Sequence, residues 1–339
     1  MRWDTGIDLG TANVRMADSG NGLAIDEPAL IALRDDGSAA YAGESAWRLM
    51  GREPKGIKVD SPLRDGVPES TLHTQRMFQY LLRRGENDRR RRRSVLISCA
   101  PFARPVYREA LMQAALDAGA ADVALVRSDA ASALGSGVDL MAPQATFVVD
   151  VGAGKMTATL FSLGREVATA HLPYGTNRIT ERIISALRTD YGFSVGWQTA
   201  EDIKLALATA HPGDATAVKA RAAGLDVADR LPRMAEISPQ LIMKICQDPL
   251  KELMGICQGV ISGAPEEISA DLNDVGCTLT GGGAAIPGLD KLIGDTLGIP
   301  CSIADSPALC AIKGINAIML EPDRYSGLIW QRMTLAQRR

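Results

Sequence analysis

The sequence is poor in histidine, has no closely spaced cysteine pair, carries no excess of positive charge and lacks long apolar runs. Its three histidines lie far apart and its six cysteines form no Cys-x-x-Cys pair, so a zinc site is not expected. The formal net charge of −3 argues against a general nucleic-acid binder, which would normally be basic. No stretch approaches the ~20 apolar residues of a membrane-spanning helix, and no apolar secretory signal follows Met1. We therefore expect a protein of the reducing cytoplasm with buried thiols.

The chain does contain an alternation of strand-like and helix-like segments. With 339 residues, of which 46% are hydrophobic, it can bury the cores of two domains or of one bilobed unit. Apolar runs at residues 94–100, 123–126, 146–150 and 157–162 predict strands. The helical spacing of apolar residues at 111–118 and 179–187 predicts helices. This order predicts an α/β fold.

Two strand–glycine turn–strand units suggest an internal duplication. The first reads GIDLGTA at residues 6–12 and the second VDVGAGKMT at residues 149–157. Each places an aspartate, Asp8 or Asp150, at the end of a strand and glycines in a tight turn. Either turn alone is typical of a β-hairpin, but two facing turns could close on one ligand.

The glycine turns have the composition of phosphate sites. Because glycine lets backbone amides approach phosphate oxygens, the predicted nucleotide contacts are Gly10, Thr11, Ala12 and Asn13 in the first turn and Gly152, Ala153, Gly154 and Lys155 in the second. Carboxylates bind Mg²⁺ directly or through water, so Asp8 and Asp150 are the predicted metal residues. A third cluster, Gly281, Gly282, Gly283 and Ala284, could take a base or a sugar-phosphate; its alternative is a flexible loop.

Together these motifs resemble the MreB family of bacterial actin-like proteins, within the superfamily of actin, heat-shock chaperone ATPases and sugar kinases. DLGTAN at residues 8–13 resembles the first phosphate motif, residues 150–154 the second and residues 279–284 the adenosine motif. Residues 27–28, 63–67 and 199–204 are similar as well, and the similarity runs from Asp4 to about Ala317. The resemblance implies an actin-like α/β fold with two lobes, each a β-sheet flanked by helices, around a nucleotide cleft.

The resemblance also implies a function. It implies ATP or GTP with Mg²⁺, head-to-tail self-assembly into filaments, and a scaffold for cell shape at the inner face of the plasma membrane, with membrane proteins of the cell-shape machinery as partners. It places Glu201 and Lys204 near the ribose and adenine, although their i, i+3 spacing also fits an exposed ion pair. It divides the chain into subdomains IA (1–32, 66–145 and 310–339), IB (33–65), IIA (146–180 and 245–309) and IIB (181–244).

Three departures from the family pattern bear on hydrolysis. The family's Glu-Glu-Pro, whose second glutamate positions the attacking water, corresponds here to Arg127, Ser128 and Asp129, so Ser128 and Asp129 are the candidates for the catalytic position. The usual Gly-Gly-Gly-Thr-Thr-Glu becomes GAGKMT at residues 152–157, and Gly-Gly-Asp becomes GTN at 175–177. Since phosphoryl transfer depends on positioning, we expect nucleotide to bind with little or no turnover.

An arginine-rich segment is a predicted membrane contact. Residues 83–93 hold seven arginines against two acidic residues, and Arg89, Arg90, Arg91, Arg92 and Arg93 end the run. Anionic lipid would attract such a segment by ~1 kcal/mol per charge. The alternatives are a solvated loop and a nucleic-acid contact, which is disfavoured because no aromatic residue interleaves the arginines. The amphipathic tail from residue 328 could add an anchor or pack on its own domain.

The superfamily also includes proteins with other functions. A sugar kinase would need an acidic base and a sugar-binding insertion, and a chaperone would need a substrate-binding domain; neither is visible in the 339 residues. A non-polymerising pseudo-ATPase adaptor is the main alternative, favoured by the three departures. An organelle-organising actin-like filament is a second alternative.

Overall fold

The computed structural model describes residues 2–84, 93–214 and 218–334. In chain order its strands are β1 (Thr5–Leu9), β2 (Asn13–Asp18), β3 (Gly22–Pro28), β4 (Ile31–Arg34), β5 (Ala39–Ala42), β6 (Ile57–Asp60), β7 (Leu63–Arg64), β8 (Val67–Pro68), β9 (Ser94–Cys99), β10 (Asp122–Arg127), β11 (Thr146–Val151), β12 (Met156–Ser162), β13 (Arg165–Leu172), β14 (Phe193–Ser194), β15 (Ala220–Asp226), β16 (Pro232–Ile237), β17 (Cys277–Thr280), β18 (Cys301–Ile303) and β19 (Ile329–Thr334). The helices are α1 (Glu44–Trp47), α2 (Thr71–Arg84), α3 (Pro105–Asp117), α4 (Ser128–Gly135), α5 (Asn177–Tyr191), α6 (Trp197–Leu207), α7 (Pro239–Ser262), α8 (Glu266–Val275), α9 (Leu289–Leu297) and α10 (Cys310–Leu320). The predicted α/β alternation is confirmed.

Two large sheets repeat one strand order. The first runs β19-β10-β9-β1-β2-β3 and the second β13-β12-β11-β17-β18. In each sheet a glycine turn joins two antiparallel strands, β1–β2 or β11–β12, and the first of these pairs in parallel with a later strand, β9 or β17. The order β3-β2-β1-β9-β10 therefore matches β13-β12-β11-β17-β18, and the predicted duplication is confirmed.

The chain forms two lobes around these sheets. We call the first large sheet with the small sheet β5-β4-β6 lobe I, and the second large sheet with the small sheet β14-β15-β16 lobe II. Phe78 and Ile97 are fully buried in the core of lobe I, and Phe147 and Ile183 in that of lobe II. The small sheets fall largely within the predicted subdomains IB and IIB. Because β4, α5 and α7 cross predicted boundaries, the detailed division stays a prediction.

Helices α4 and α10 carry the chain between the lobes and cross with their backbones in contact. Helix α4 leads from β10 to β11, and α10 lies between β18 and β19. A Cβ atom on Gly135 would lie 1.8 Å from the carbonyl oxygen of Cys310, and one on Gly314 would lie 1.9 Å from that of Ala131. Only glycine fits at these two positions, because the neighbouring atoms belong to the rigid helix backbone.

The C-terminal segment, as far as Thr334, packs on lobe I. Strand β19 pairs antiparallel with β10, and the guanidinium of Arg108 lies 4.1 Å from the centre of the Trp330 ring. Of the two alternatives for the tail, the structure thus shows packing on the parent domain. Among the helices of the described ranges, none is long and apolar enough to cross a membrane.

All six cysteines are free thiols, and five of them are buried. Burial raises the pKa of Cys99 and Cys257 to about 12 and that of Cys246 and Cys310 to about 11. Such thiols stay protonated at neutral pH and are poor nucleophiles. Cys301, on the edge strand β18, is the one that is partly exposed.

We therefore expect one fast-reacting thiol in the folded protein. An aromatic disulfide reagent at neutral pH should label Cys301 first, and Cys301→Ser should abolish the fast phase because the other thiols are buried and protonated. Absorbance of the released thiolate measures the rate, and unfolding in denaturant supplies the total. A fast phase that persists in Cys301→Ser would contradict this prediction.

Candidate functional site

The two predicted phosphate turns face each other at the junction of the lobes. Each turn is closed by the same backbone hydrogen bond: Gly10 N–H donates to the Asn13 carbonyl at 3.1 Å, and Gly152 N–H donates to the Lys155 carbonyl at 2.9 Å. A Cβ atom on Gly154 would lie 2.2 Å from Oγ1 of Thr11. The structure therefore brings together the two turns that the sequence singled out, one from each lobe.

The start of α5 holds the second turn in place. The backbone N–H groups of Thr176 and Asn177 donate to the carbonyls of Gly152 and Ala153 at 3.0 and 2.9 Å. A Cβ atom on Gly175 would lie 2.2 Å from the Gly152 carbonyl oxygen. The departure at residues 175–177 therefore retains the glycine that this close approach needs.

The third glycine cluster is an ordered turn rather than a flexible loop. Gly281 has φ +82° and lies against the end of β11, since a Cβ there would be 2.5 Å from the Val151 carbonyl oxygen. Gly283 packs as closely on the Val151 side chain, at 2.5 Å. At Gly282, by contrast, the nearest heavy atom to a Cβ would be Ala308 Cβ at 4.0 Å. Gly281 and Gly283 are thus explained by packing, whereas Gly282 faces open space.

Glu201 and Lys204 form a largely buried ion pair beside this turn. Lys204 is 6% exposed and its Nζ lies 2.7 Å from Oε1 of Glu201, while Thr180 Oγ1 donates to Oε2 at 2.7 Å. Thr180 lies one helical turn after Thr176, which packs against Gly283. The alternative of an exposed ion pair is therefore wrong, and both residues lie on the wall that also carries the third glycine cluster.

Asp8 is a buried carboxylate at the end of β1. Ser98 Oγ donates to its Oδ1 at 2.6 Å, and Arg15 Nη1 lies 3.8 Å from its Oδ2. Burial raises the pKa of Asp8; the Ser98 hydrogen bond and the Arg15 charge oppose this increase, and the charge of Asp150 adds to it. The two predicted metal residues, from different lobes, are therefore close enough to repel each other.

Asp150 is paired with a lysine from its own turn. Lys155 Nζ lies 2.5 Å from Oδ2 of Asp150, and Thr280 Oγ1 donates to Oδ1 at 3.2 Å. Burial lowers the pKa of Lys155, but the charges of Asp150, Asp129 and Asp8 outweigh burial, so this pKa is raised and the ammonium stays charged.

These contacts place a positive charge of the chain where a magnesium ion would bind Asp150. Mg²⁺ requires oxygen ligands at ~2.0–2.1 Å in near-octahedral geometry. On Asp150 the Lys155 ammonium lies against Oδ2 and repels a second cation, whereas the Thr280 and Ser98 hydroxyls each take one acceptor site of Asp150 and Asp8 and leave others free. The predicted metal residues do meet, but Lys155 takes the position from which a cation would contact Asp150.

Asp129 does not fit the predicted role of positioning water. It is 1% exposed, and each of its oxygens accepts two hydrogen bonds. Oδ1 accepts from Arg127 Nε at 3.1 Å and the Ala130 N–H at 2.9 Å; Oδ2 accepts from Arg127 Nη2 at 2.6 Å and Thr159 Oγ1 at 2.8 Å. A carboxylate offers about four acceptor sites, so none is left for a water molecule. Ser128, the other candidate, is buried, and its hydroxyl has no hydrogen-bond partner within the described residues.

Several contacts across the cleft were not predicted from the sequence. Arg127 of lobe I forms an ion pair with Glu166 of lobe II, and Thr159 Oγ1 of lobe II donates to Oδ2 of Asp129. Between helices α6 and α1, Gln198 Nε2 donates to the Trp47 carbonyl at 2.7 Å. The acidic Asp129 two residues after Arg127 indicates a local ion pair in the sequence. The partner of Arg127 in lobe II, Glu166, has no such indication.

Arg93 is not part of an exposed basic surface. Its side chain is buried, its Nη1 lies 3.2 Å from Asp18 Oδ1, and it donates to Thr5 Oγ1 at 3.3 Å. The prediction that Arg93 contacts lipid is therefore wrong, since a buried ion pair fixes it inside lobe I. Residues 89–92 lie outside the described residues.

A duplicated pair of sheets with glycine turns meeting between two lobes defines the actin-like fold. The model of the MreB/Mbl protein family matches residues 2–326, and the chain belongs to that family. It is 31% identical to the cell shape-determining protein MreB of Escherichia coli K12, covering 96% of this chain and 95% of that protein. It is 30% identical to the cell shape-determining protein Mbl of Bacillus subtilis 168, covering 95% of this chain and 97% of that protein.

Solved structures agree with this assignment. The crystal structure of MreB5 of Spiroplasma citri bound to AMPPNP is 27% identical and superposes with a TM-score of 0.89, covering 97% of this chain and 99% of that one. The MamK double helical filament, at 16% identity and a TM-score of 0.78, covers 93% of this chain and 97% of that one. The MamK match shares the fold alone.

Proposed function

We propose that this chain is a nucleotide-binding, actin-like scaffold protein that assembles head-to-tail into filaments. The observation that carries the proposal is the meeting of the turns at residues 10–13 and 152–155 between the lobes, beside the open face at Gly282. MreB5 of Spiroplasma citri has been crystallised with AMPPNP and with ADP, which supports ATP or another nucleoside triphosphate, such as GTP, as the ligand here. Magnesium, which the resemblance implies, does not fit beside Lys155 and is not part of the proposal.

The cellular role that we propose is cell-shape control from the cytoplasm, at the inner face of the membrane. The support is the description of the MreB and Mbl relatives as cell shape-determining proteins. Docking to anionic lipid would use the arginine run, and membrane proteins of the cell-shape machinery would be further partners. Co-sedimentation with vesicles of neutral or anionic lipid tests the lipid contact, and equal binding to both would exclude an electrostatic contact.

Filament assembly separates the scaffold from the adaptor. Purified protein should bind ATP in calorimetry and, with ATP, should scatter light and form filaments in negative-stain electron microscopy. Binding of ATP without assembly at any protein concentration would instead favour the non-polymerising adaptor. Failure to bind any nucleoside triphosphate would overturn the proposed function as a whole.

We expect hydrolysis to be slow even when nucleotide is bound. Ser128 stands at the position of the water-orienting glutamate, and the four hydrogen bonds of Asp129 prevent that carboxylate from replacing it. A positioned general base is worth about 10²–10⁴ in rate, so phosphate release should fall below that of Escherichia coli MreB by a factor in this range. A continuous phosphate assay with both proteins at equal concentration measures the ratio. Turnover equal to that of the Escherichia coli protein would refute the expectation.

A further inference from the structure

Lys155 occupies an unusual position for a lysine in a phosphate turn. Its side chain is 14% exposed, and its ammonium lies 2.5 Å from an oxygen of Asp150, whose side chain is 9% exposed. The stem of the lysine crosses to lobe I, where a Cβ on Gly66 would lie 3.2 Å from Lys155 Cδ. The ammonium is therefore held between the lobes, at the carboxylate that was predicted to bind the metal.

Lys155 differs from the other two cations of the site because, among the described residues, it pairs with one carboxylate alone. Each of three buried carboxylates has a cationic partner from the chain: Asp8 with Arg15 at 3.8 Å, Asp129 with Arg127 at 2.6 Å, and Asp150 with Lys155 at 2.5 Å. Arg15 lies closer to Asp26, at 3.1 Å, and Arg127 also pairs with Glu166, so neither arginine is committed to one carboxylate. A divalent cation binds at carboxylates because their charge is otherwise uncompensated. Here a second cation beside Asp150 would be repelled by the ammonium already present.

We propose that the Lys155 ammonium replaces Mg²⁺ as the cation of the nucleotide site, so that nucleotide binding does not depend on magnesium. This inference rests on the proposed function, because it specifies how the nucleotide's phosphates are neutralised. An ammonium carries three N–H donors. One is directed at Asp150, and the other two are available to phosphate oxygens held by the glycine turns.

The experiment is a comparison of ATP affinity with and without free magnesium. Full-length protein is titrated with ATP by calorimetry, once in excess MgCl₂ and once in EDTA. For the unmodified chain we expect the two dissociation constants to agree within about threefold. For Lys155→Thr, which introduces the residue that the family carries, binding in EDTA should weaken by about tenfold or more relative to binding in magnesium. Lys155→Arg keeps the charge and should retain magnesium independence.

A matched control separates local from general effects of removing a lysine. Lys251 is exposed on α7, and Lys251→Thr should leave both dissociation constants unchanged. Circular dichroism melting of each variant shows whether it folds; if Lys155→Thr does not fold, Lys155→Gln, of similar length but neutral, takes its place.

The outcomes distinguish the inference from the function on which it rests. If the unmodified chain loses about tenfold or more of its ATP affinity in EDTA, the inference is overturned while nucleotide binding stands. Equal magnesium dependence in the unmodified chain and in Lys155→Thr overturns it as well. If no ATP binds under either condition, the proposed function fails and the inference fails with it.

Discussion

Replacing Gly314 with alanine is expected to destabilise the folded protein by about 3 kcal/mol or more. A Cβ there would lie 1.9 Å from the carbonyl oxygen, 2.7 Å from the carbonyl carbon and 3.0 Å from the Cα atom of Ala131. These atoms belong to the backbone of α4 and cannot rotate away as a side chain would. The two helices that connect the lobes would have to separate, and the packing between them would be lost. Urea unfolding followed by circular dichroism measures the change.

A glycine of the same type in an open position provides the control. Gly255 lies in α7, and no heavy atom of the described residues would come within 4 Å of a Cβ built there, apart from its own helix. Gly255→Ala should be neutral or stabilising, by up to ~1 kcal/mol, because alanine favours the helix. Equal unfolding midpoints for Gly314→Ala and Gly255→Ala would show that the helix crossing is looser than described. Gly135→Ala, on the other side of the crossing, should resemble Gly314→Ala.

Replacing Gly282 with leucine is expected to weaken ATP binding without lowering stability. Of the three consecutive glycines, Gly282 is the one whose Cβ would meet nothing closer than 4.0 Å, so the folded chain tolerates a side chain there. Helix α5 connects the turn with this open position to the Glu201–Lys204 pair, since Thr176 packs on Gly283 and Thr180 donates to Glu201. The resemblance places the adenosine near that pair. A leucine would occupy that space and raise the dissociation constant for ATP about tenfold or more, or ~1.4 kcal/mol.

Two variants make the Gly282 measurement specific. Gly281→Ala should lose stability, because Gly281 has φ +82° and its Cβ would lie 2.5 Å from the Val151 carbonyl oxygen. Gly255→Leu places the same new side chain on an exposed helix and should leave ATP affinity unchanged. The ATP dissociation constant is measured by calorimetry and the stability by urea unfolding for all three variants. Unchanged ATP affinity in Gly282→Leu would mean that the base lies elsewhere.

Two of the departures from the family pattern contribute contacts between the lobes. Arg127 and Asp129, which stand in place of a glutamate and a proline, bind each other and reach Glu166 and Thr159 in lobe II. Lys155, at a threonine position, bridges from Asp150 to lobe I. At these positions the chain carries residues that contact the opposite lobe: Arg127 through its ion pair with Glu166, and Lys155 through the packing of its stem on Gly66. We therefore expect such a site to hold a nucleotide rather than hydrolyse it.

The local elements and the glycine turns were predictable from the sequence alone. Strands at residues 94–99 and 146–151 were recognisable because a short apolar run bounded by turn residues is typical of a buried strand. The turns around Gly10 and Gly152 were recognisable because the conformational freedom of glycine is a property of the residue itself. Their repetition then indicated two similar lobes, and the strand orders confirm it.

The partners of the charged side chains were decided only by the tertiary structure. Asp129 and Thr159 are 30 residues apart, and Arg93 and Asp18 are 75 apart, so no local pattern reveals either contact. In the sequence Arg93 is one of five consecutive arginines, but in the structure it is buried in an ion pair with Asp18. In the sequence Lys155 is likewise a candidate phosphate contact, and only the structure shows its ammonium paired with Asp150 and its stem packed on Gly66. Electrostatic pairing depends on distance in space and on burial, which a linear sequence does not contain.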